Sequence, residues 1–182
     1  MTGSEIVMDT GPLSVFAEAG WLGMLRVVAD DRTVVITDVV EAELLDGAPN
    51  HPHLNSVLNA DWIARSPLLS DDEIGAYTKF ASFLVSGDHN RGEASVLAYA
   101  QVHGALAIVD DGAGRKHAKR AGIDFQGTLA LLCEAIRCGQ LSVDVVSHIA
   151  DHMLETEYRL PFKPGGFAVW AKQNGLTSPA SR

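Results

Sequence analysis

Apolar positions along the chain alternate between two patterns. Short continuous runs, at Glu5-Ile6-Val7-Met8-Asp9, Thr33-Val34-Val35-Ile36-Thr37 and Ala105-Leu106-Ala107-Ile108-Val109, read as strands. The last is the kind of run found in a parallel sheet covered on both faces. Helical spacing fills the stretches between them. Leu13 to Ala29 is broken at Gly20 and predicts one helix or two short ones, opened by Pro12 after the turn Thr10-Gly11-Pro12. Asp38 to Leu45, Ile74 to Val85 and Ala94 to His103 predict further helices. Each follows a capping-box pattern, Asp38 with Glu41, Ser70 with Glu73 and Asn90 with Glu93.

The remaining segments are shorter. Gly47 to Pro52 reads as a loop, Trp62 to Arg65 as a brief edge strand, Arg115 to Ala121 as a basic helix and Ile123 to Phe125 as a short strand. Gly127-Thr128 opens an apolar helix through Ile136, and Ser142 caps another to about Leu154. Strands alternating with helices imply right-handed crossovers and an open α/β sheet. Ligands are then expected beyond the carboxyl ends of the strands.

Length and composition limit the choices further. A chain of 182 residues, 47% hydrophobic, suits one core, read as a body over residues 1–160 and a C-terminal extension over 161–182. The end of that extension, Gly175 to Arg182, is expected to be flexible. No apolar run nears the roughly 20 residues of a membrane helix, and Met1 to Glu5 lacks a basic region followed by an apolar one, so a soluble, cytoplasmic protein with no membrane partner is expected. The two cysteines, Cys133 and Cys138, lie five apart on a predicted helix, face different ways and are read as thiols.

The formal net charge of −9 counts against a broad basic surface for nucleic acid. It leaves room for a nuclease whose acids gather around cations, or for a basic partner. Asp9 and Asp110 are each the first acidic residue after an apolar strand, which in a parallel sheet brings both to one edge. Asp9 also qualifies as a helix cap. Asp111 fits the cap of the Arg115 helix, so Asp110 is preferred over it as a ligand. Glu43 lacks a local role, whereas Glu41 fits a capping box, as does Glu93 after Asn90.

Close carboxylates repel by about 4 kcal/mol per pair at an effective dielectric near 20, so such a cluster needs a cation. Oxygen ligands alone suit Mg²⁺ or Mn²⁺ rather than zinc. Such ions polarise a phosphoryl oxygen and lower the pKa of water for phosphodiester cleavage.

Five segments taken in order resemble the motifs of PIN-domain proteins. They are Ile6 to Leu13, Val39 to Leu45, Arg91 to Ser95, Ile108 to Asp111 and Gly127 to Leu129, within a resemblance over about residues 5 to 158. The resemblance implies a three-layer α/β/α sandwich with a central, mainly parallel sheet, and Mg²⁺- or Mn²⁺-dependent hydrolysis of RNA. It also implies a possible toxin role with a protein antitoxin as partner, and a possible homodimer. Matched to those motifs, Asp9, Glu43, Glu93 and Asp110 are the implied catalytic and metal-binding residues, with Asp111 as a further candidate ligand. Glu93 stands where many members carry aspartate, and Asp110-Asp111 replaces a threonine-spacer-aspartate pattern. These departures, with the negative charge, keep open a PIN-like binding or regulatory module with little or no catalysis.

Other features are weaker. Arg115 and Thr10 are candidates for substrate binding, the first through phosphate and the second through its hydroxyl. Thr128 fits either the site or a helix cap. His148 and His152 share one helix face without a third ligand, and Trp21, Trp62 and Trp170 form no base-stacking stripe.

Overall fold

The apolar runs form the centre of a sheet because helices cover them. In a computed structural model that describes residues 4–87, 89–156 and 158–176, the strands are β1 (Glu5–Met8), β2 (Thr33–Thr37), β3 (Ala64–Ser66), β4 (Leu106–Ile108) and β5 (Phe125–Gln126). Their order is β3-β2-β1-β4-β5 and every pair is parallel. Val7 sits between Val35 and Ala107, all three within the core.

The described residues form ten helices around this sheet: α1 (Thr10–Glu18), α2 (Leu22–Ala29), α3 (Asp38–Gly47), α4 (Leu54–Leu58), α5 (Asp71–Leu84), α6 (Arg91–His103), α7 (Gly112–Ala121), α8 (Thr128–Arg137), α9 (Val143–Glu155) and α10 (Phe167–Gln173). Helix α6 crosses β1, β2 and β4 and is backed by α5. Gly92 to Ala100 are therefore buried all round, as expected of a helix enclosed on both sides. Helices α2, α8, α9 and α1 form a second contiguous set. The result is the expected α/β sandwich. None of the described helices is long and apolar enough to cross a membrane.

Strand order reverses between β1 and β4, since the chain winds outward from β1 through β2 to β3 and then returns to β4. Crevices at such reversals hold ligands in α/β folds. Asp9 and Asp110 both stand just past this point.

Several local expectations fail for identifiable reasons. Helix α1 begins at Thr10, ahead of Pro12, and Asp9 occupies its cap position without a capping bond. Thr37, not Asp38, caps α3, because its buried hydroxyl accepts from the Val40 amide and also pairs with Ser95. Asp38 instead accepts from the Leu68 amide, and Glu41 meets Arg65 at 3.3 Å. Ser70 and Glu73 form the expected capping box. Asn90 and Glu93 do not: Asn90 has φ 64, a left-handed conformation that asparagine tolerates, and its amide donates to the Leu84 carbonyl. Helices α4 and α10 were not foreseen, being short segments that gain order through the buried side chains of Leu54 and Val57 in one case and Phe167 and Ala171 in the other. Helix α10 packs on α9, so part of the proposed extension belongs to the core. Leu176, within the tail expected to be flexible, is buried, while residues 177–182 lie outside those described. Both cysteines are free thiols.

Candidate active site

Asp9 leaves β1 with extended backbone, φ −83 and ψ 167, and stands at the cap position of α1 without a capping hydrogen bond. Its Oδ1 is buried without a hydrogen-bond partner. Burial raises the carboxyl to about 7; the Thr10 amide acts against this, and the charges of Glu43 and Asp110 reinforce it.

Glu43 is brought to Asp9 by α3 and is held from two sides. The Thr10 hydroxyl donates to Oε2 and the Gly92 amide to Oε1, each at 2.7 Å. A Cβ on Gly92 would stand 2.5 Å from both Asp9 Oδ1 and Glu43 Oε2, so only glycine fits between these carboxylates without displacement. The expected capping role of Glu93 is absent, and its buried side chain lies between α6 and α7, where a Cβ on Gly114 would overlap its carboxyl group. Glu93 Oε2 likewise has no hydrogen-bond partner. Burial lifts this carboxyl to about 8, with Asp9, Asp111 and Asp110 adding to the rise and Arg115 opposing it.

Asp110 has a different environment. Its Oδ1 accepts from the Thr128 amide at 2.8 Å and from Arg115 at 3.3 Å, and its Oδ2 accepts from the Thr128 hydroxyl at 2.6 Å and the Tyr158 hydroxyl at 3.0 Å. All four of its common acceptor positions are therefore used. Arg115 also donates from Nε to the Val109 carbonyl at 2.8 Å, which fixes the guanidinium beside the strand end. Asp111 caps α7 by accepting from the amides of Ala113 and Gly114. Thr128 serves the site rather than its helix terminus, where Gly127 is the cap.

A family model described as a PIN domain matches residues 5–163. The chain belongs to the PIN-domain family. No curated protein matches it. PIN domains are in general nucleases and typically use divalent metal ions.

Among the described residues of this PIN domain, no group of three or more acidic, histidine or cysteine side chains stands ready-made to enclose an ion. The donor chemistry nonetheless fits a hard cation. Asp9 Oδ1 and Glu93 Oε2 are buried oxygens without donors, and a cation would favour the ionised form of both groups. Glu43 and Asp110 are already oriented by hydrogen bonds, an arrangement common around metal-binding carboxylates.

The acids named from sequence are thus neighbours in two environments, Asp9 and Glu93 without donors on one oxygen each and Glu43 and Asp110 hydrogen-bonded. Tyr158 and the close glycines Gly92 and Gly114 were not singled out in advance. Tyr158 follows α9, 48 positions from Asp110, and no local pattern marks it. Burial and the charge of Asp110 push its phenol upward, so it remains a hydrogen-bond donor at neutral pH.

Proposed function

We propose that this PIN domain is a Mg²⁺- or Mn²⁺-dependent endoribonuclease acting on RNA phosphodiester bonds. The observation that carries this reading is the pair of buried, donor-free oxygens, Asp9 Oδ1 and Glu93 Oε2, beside the switch point of the sheet. Asp9 and Glu93 are the leading ligands, with Glu43 and Asp110 completing the acidic surround. A bound divalent cation supplies Lewis-acid polarisation of a phosphoryl oxygen and a lower pKa for water. The protein's own part is orientation. Thr10 and Gly92 hold Glu43, while Thr128 and Tyr158 hold Asp110. Arg115 keeps a cation at the exposed side of Asp110, where a substrate phosphate can meet it. Asp111 contributes through the start of α7 and through its charge near Glu93.

The deciding experiment compares wild type with Asp9→Asn in Mn²⁺-dependent cleavage of RNA. Asp9→Asn is expected to abolish cleavage with the circular dichroism spectrum unchanged, and full activity in that variant overturns the assignment. A toxin role extends the same reading. Expression of wild type should then arrest growth, and Asp9→Asn should relieve the arrest.

One observation favours a second reading, a PIN fold retained for binding. Both oxygens of Asp110 are already fully hydrogen-bonded, so its direct coordination of an ion requires a donor to leave. Calorimetric titration separates the two: a nuclease site takes up Mn²⁺ in an Asp9-dependent way, and a binding module shows no such uptake.

A further inference from the structure

A half-open groove of about 890 Å³ runs from the acidic cluster toward α8 and α10. Its lining includes Asp110, Arg115, Tyr158, Arg137, Arg159 and Trp170, so one end shares its walls with the candidate active site. Arg115 is tied to Val109 and Asp110. Arg137, in the last turn of α8, and Arg159, after α9, are exposed and have no hydrogen bond or ion pair among the described residues. In a chain of net charge −9, two unpaired guanidinium groups on one groove are a local reversal of sign. Three arginines, Arg115, Arg137 and Arg159, stand in this lining against the two carboxylates of Asp110 and Asp111, and among the described residues neither carboxylate forms an ion pair with Arg137 or Arg159.

The far wall supplies a different chemistry. Trp170 is half-buried and packs 5.4 Å from Phe162 and 5.9 Å from Phe167, measured between ring centres. It is therefore a braced aromatic surface. Braced rings beside arginines are how proteins hold unpaired bases together with their phosphates, whereas bases within a duplex are already stacked.

We propose that this groove is a binding track for single-stranded RNA beyond the scissile position, with Arg137 and Arg159 on backbone phosphates and Trp170 supporting an unpaired base. The inference rests on the nuclease reading for the identity of its ligand. Guanidinium groups match phosphate through paired hydrogen bonds, and Asp110, Arg115 and Tyr158 of the candidate active site line the same groove. Its volume lies near the top of the roughly 300–1,000 Å³ range of small-ligand sites.

The test is fluorescence anisotropy with a labelled oligouridine in EDTA, where binding is read without cleavage. Arg137→Ala/Arg159→Ala should weaken binding by about tenfold and lower the slope of log affinity against log salt by about 1.4, at roughly 0.7 per phosphate contact. Trp170→Leu should weaken it by about tenfold, and Trp170→Phe should recover most of that loss. Unchanged affinity and slope in the arginine variant overturn the proposal. Equal displacement of the oligouridine by duplex RNA or by oligoglutamate also overturns it. Wild type that binds in this way but shows no Mn²⁺-dependent cleavage removes the nuclease reading and leaves the groove. Cleavage by wild type together with undiminished binding by the arginine variant removes the groove and leaves the nuclease reading.

Discussion

Gly92 donates its amide to Glu43 at 2.7 Å across 49 positions of sequence, and its missing side chain leaves room for Asp9 on the same side. One residue thereby orients one carboxylate and admits another. Gly92→Ala should separate these effects from helix stability. Alanine favours a helix interior by up to about 1 kcal/mol over glycine, but its Cβ would meet two carboxylate oxygens at 2.5 Å. The expected outcome is a loss of at least about tenfold in Mn²⁺-dependent cleavage, with far less change in urea unfolding than a core truncation would cause. Undiminished activity would show that the spacing of Asp9 and Glu43 is not needed.

Asp110 provides a second test, because its hydrogen bonds come from separate elements. Tyr158→Phe removes one donor to a charged acceptor and keeps the ring, so it should cost about 1.5–3 kcal/mol in urea unfolding. Thr128→Val removes another donor of the same kind. If Asp110 serves catalysis through its orientation, the double variant should lose cleavage by more than its loss of stability explains at temperatures where it remains folded. A double variant with wild-type activity would assign these bonds to folding alone.

The strand ends were legible because a strand buried on both faces must be a continuous apolar run, and the first acid after it marks the sheet edge. Asp9 and Asp110 follow from that rule. Glu43 was legible by elimination, and what sets Glu41 apart is its ion pair with Arg65 rather than the expected capping box. Glu93 was obscured by Asn90, whose spacing suggests a cap but whose left-handed backbone rules out the usual capping geometry. Tyr158, Arg137 and Arg159 reach one groove only after α8, α9 and the segment following α9 have packed, and no short-range spacing encodes that meeting.

Acid stability should depend on Glu73, far from the metal candidates. Its hydrogen bond with His103, helped by Ser70, holds its carboxyl down to about 2. The folded pKa lies below the unfolded one, so the stabilisation is present above about pH 4.5 and is lost as pH falls toward 2. His103 is partly exposed and solvent screens the contact, which limits the effect to about 1 kcal/mol. Urea unfolding of Glu73→Gln between pH 5 and about 2.5 should show a shallower decline than wild type. Parallel declines would remove Glu73 as the source.

Asp9 and Glu93 should give the opposite pH dependence. Burial raises their carboxyls to about 7 and about 8, above the values of 3.8 and 4.5 for free groups, so the folded state keeps protons that the unfolded chain has released. Unfolding then releases protons, and stability without metal should fall by up to a few kcal/mol as pH rises from about 4 through about 8. Asp9→Asn and Glu93→Gln should each flatten that decline, because an amide cannot ionise. A divalent cation that binds the ionised carboxylates reverses the trend, so added Mn²⁺ should raise the melting temperature more at pH 8 than at pH 5.5. Thermal unfolding of wild type and both variants, with EDTA and with Mn²⁺, measures this difference. A Mn²⁺ effect independent of pH, or one retained in both variants, would place the ion elsewhere.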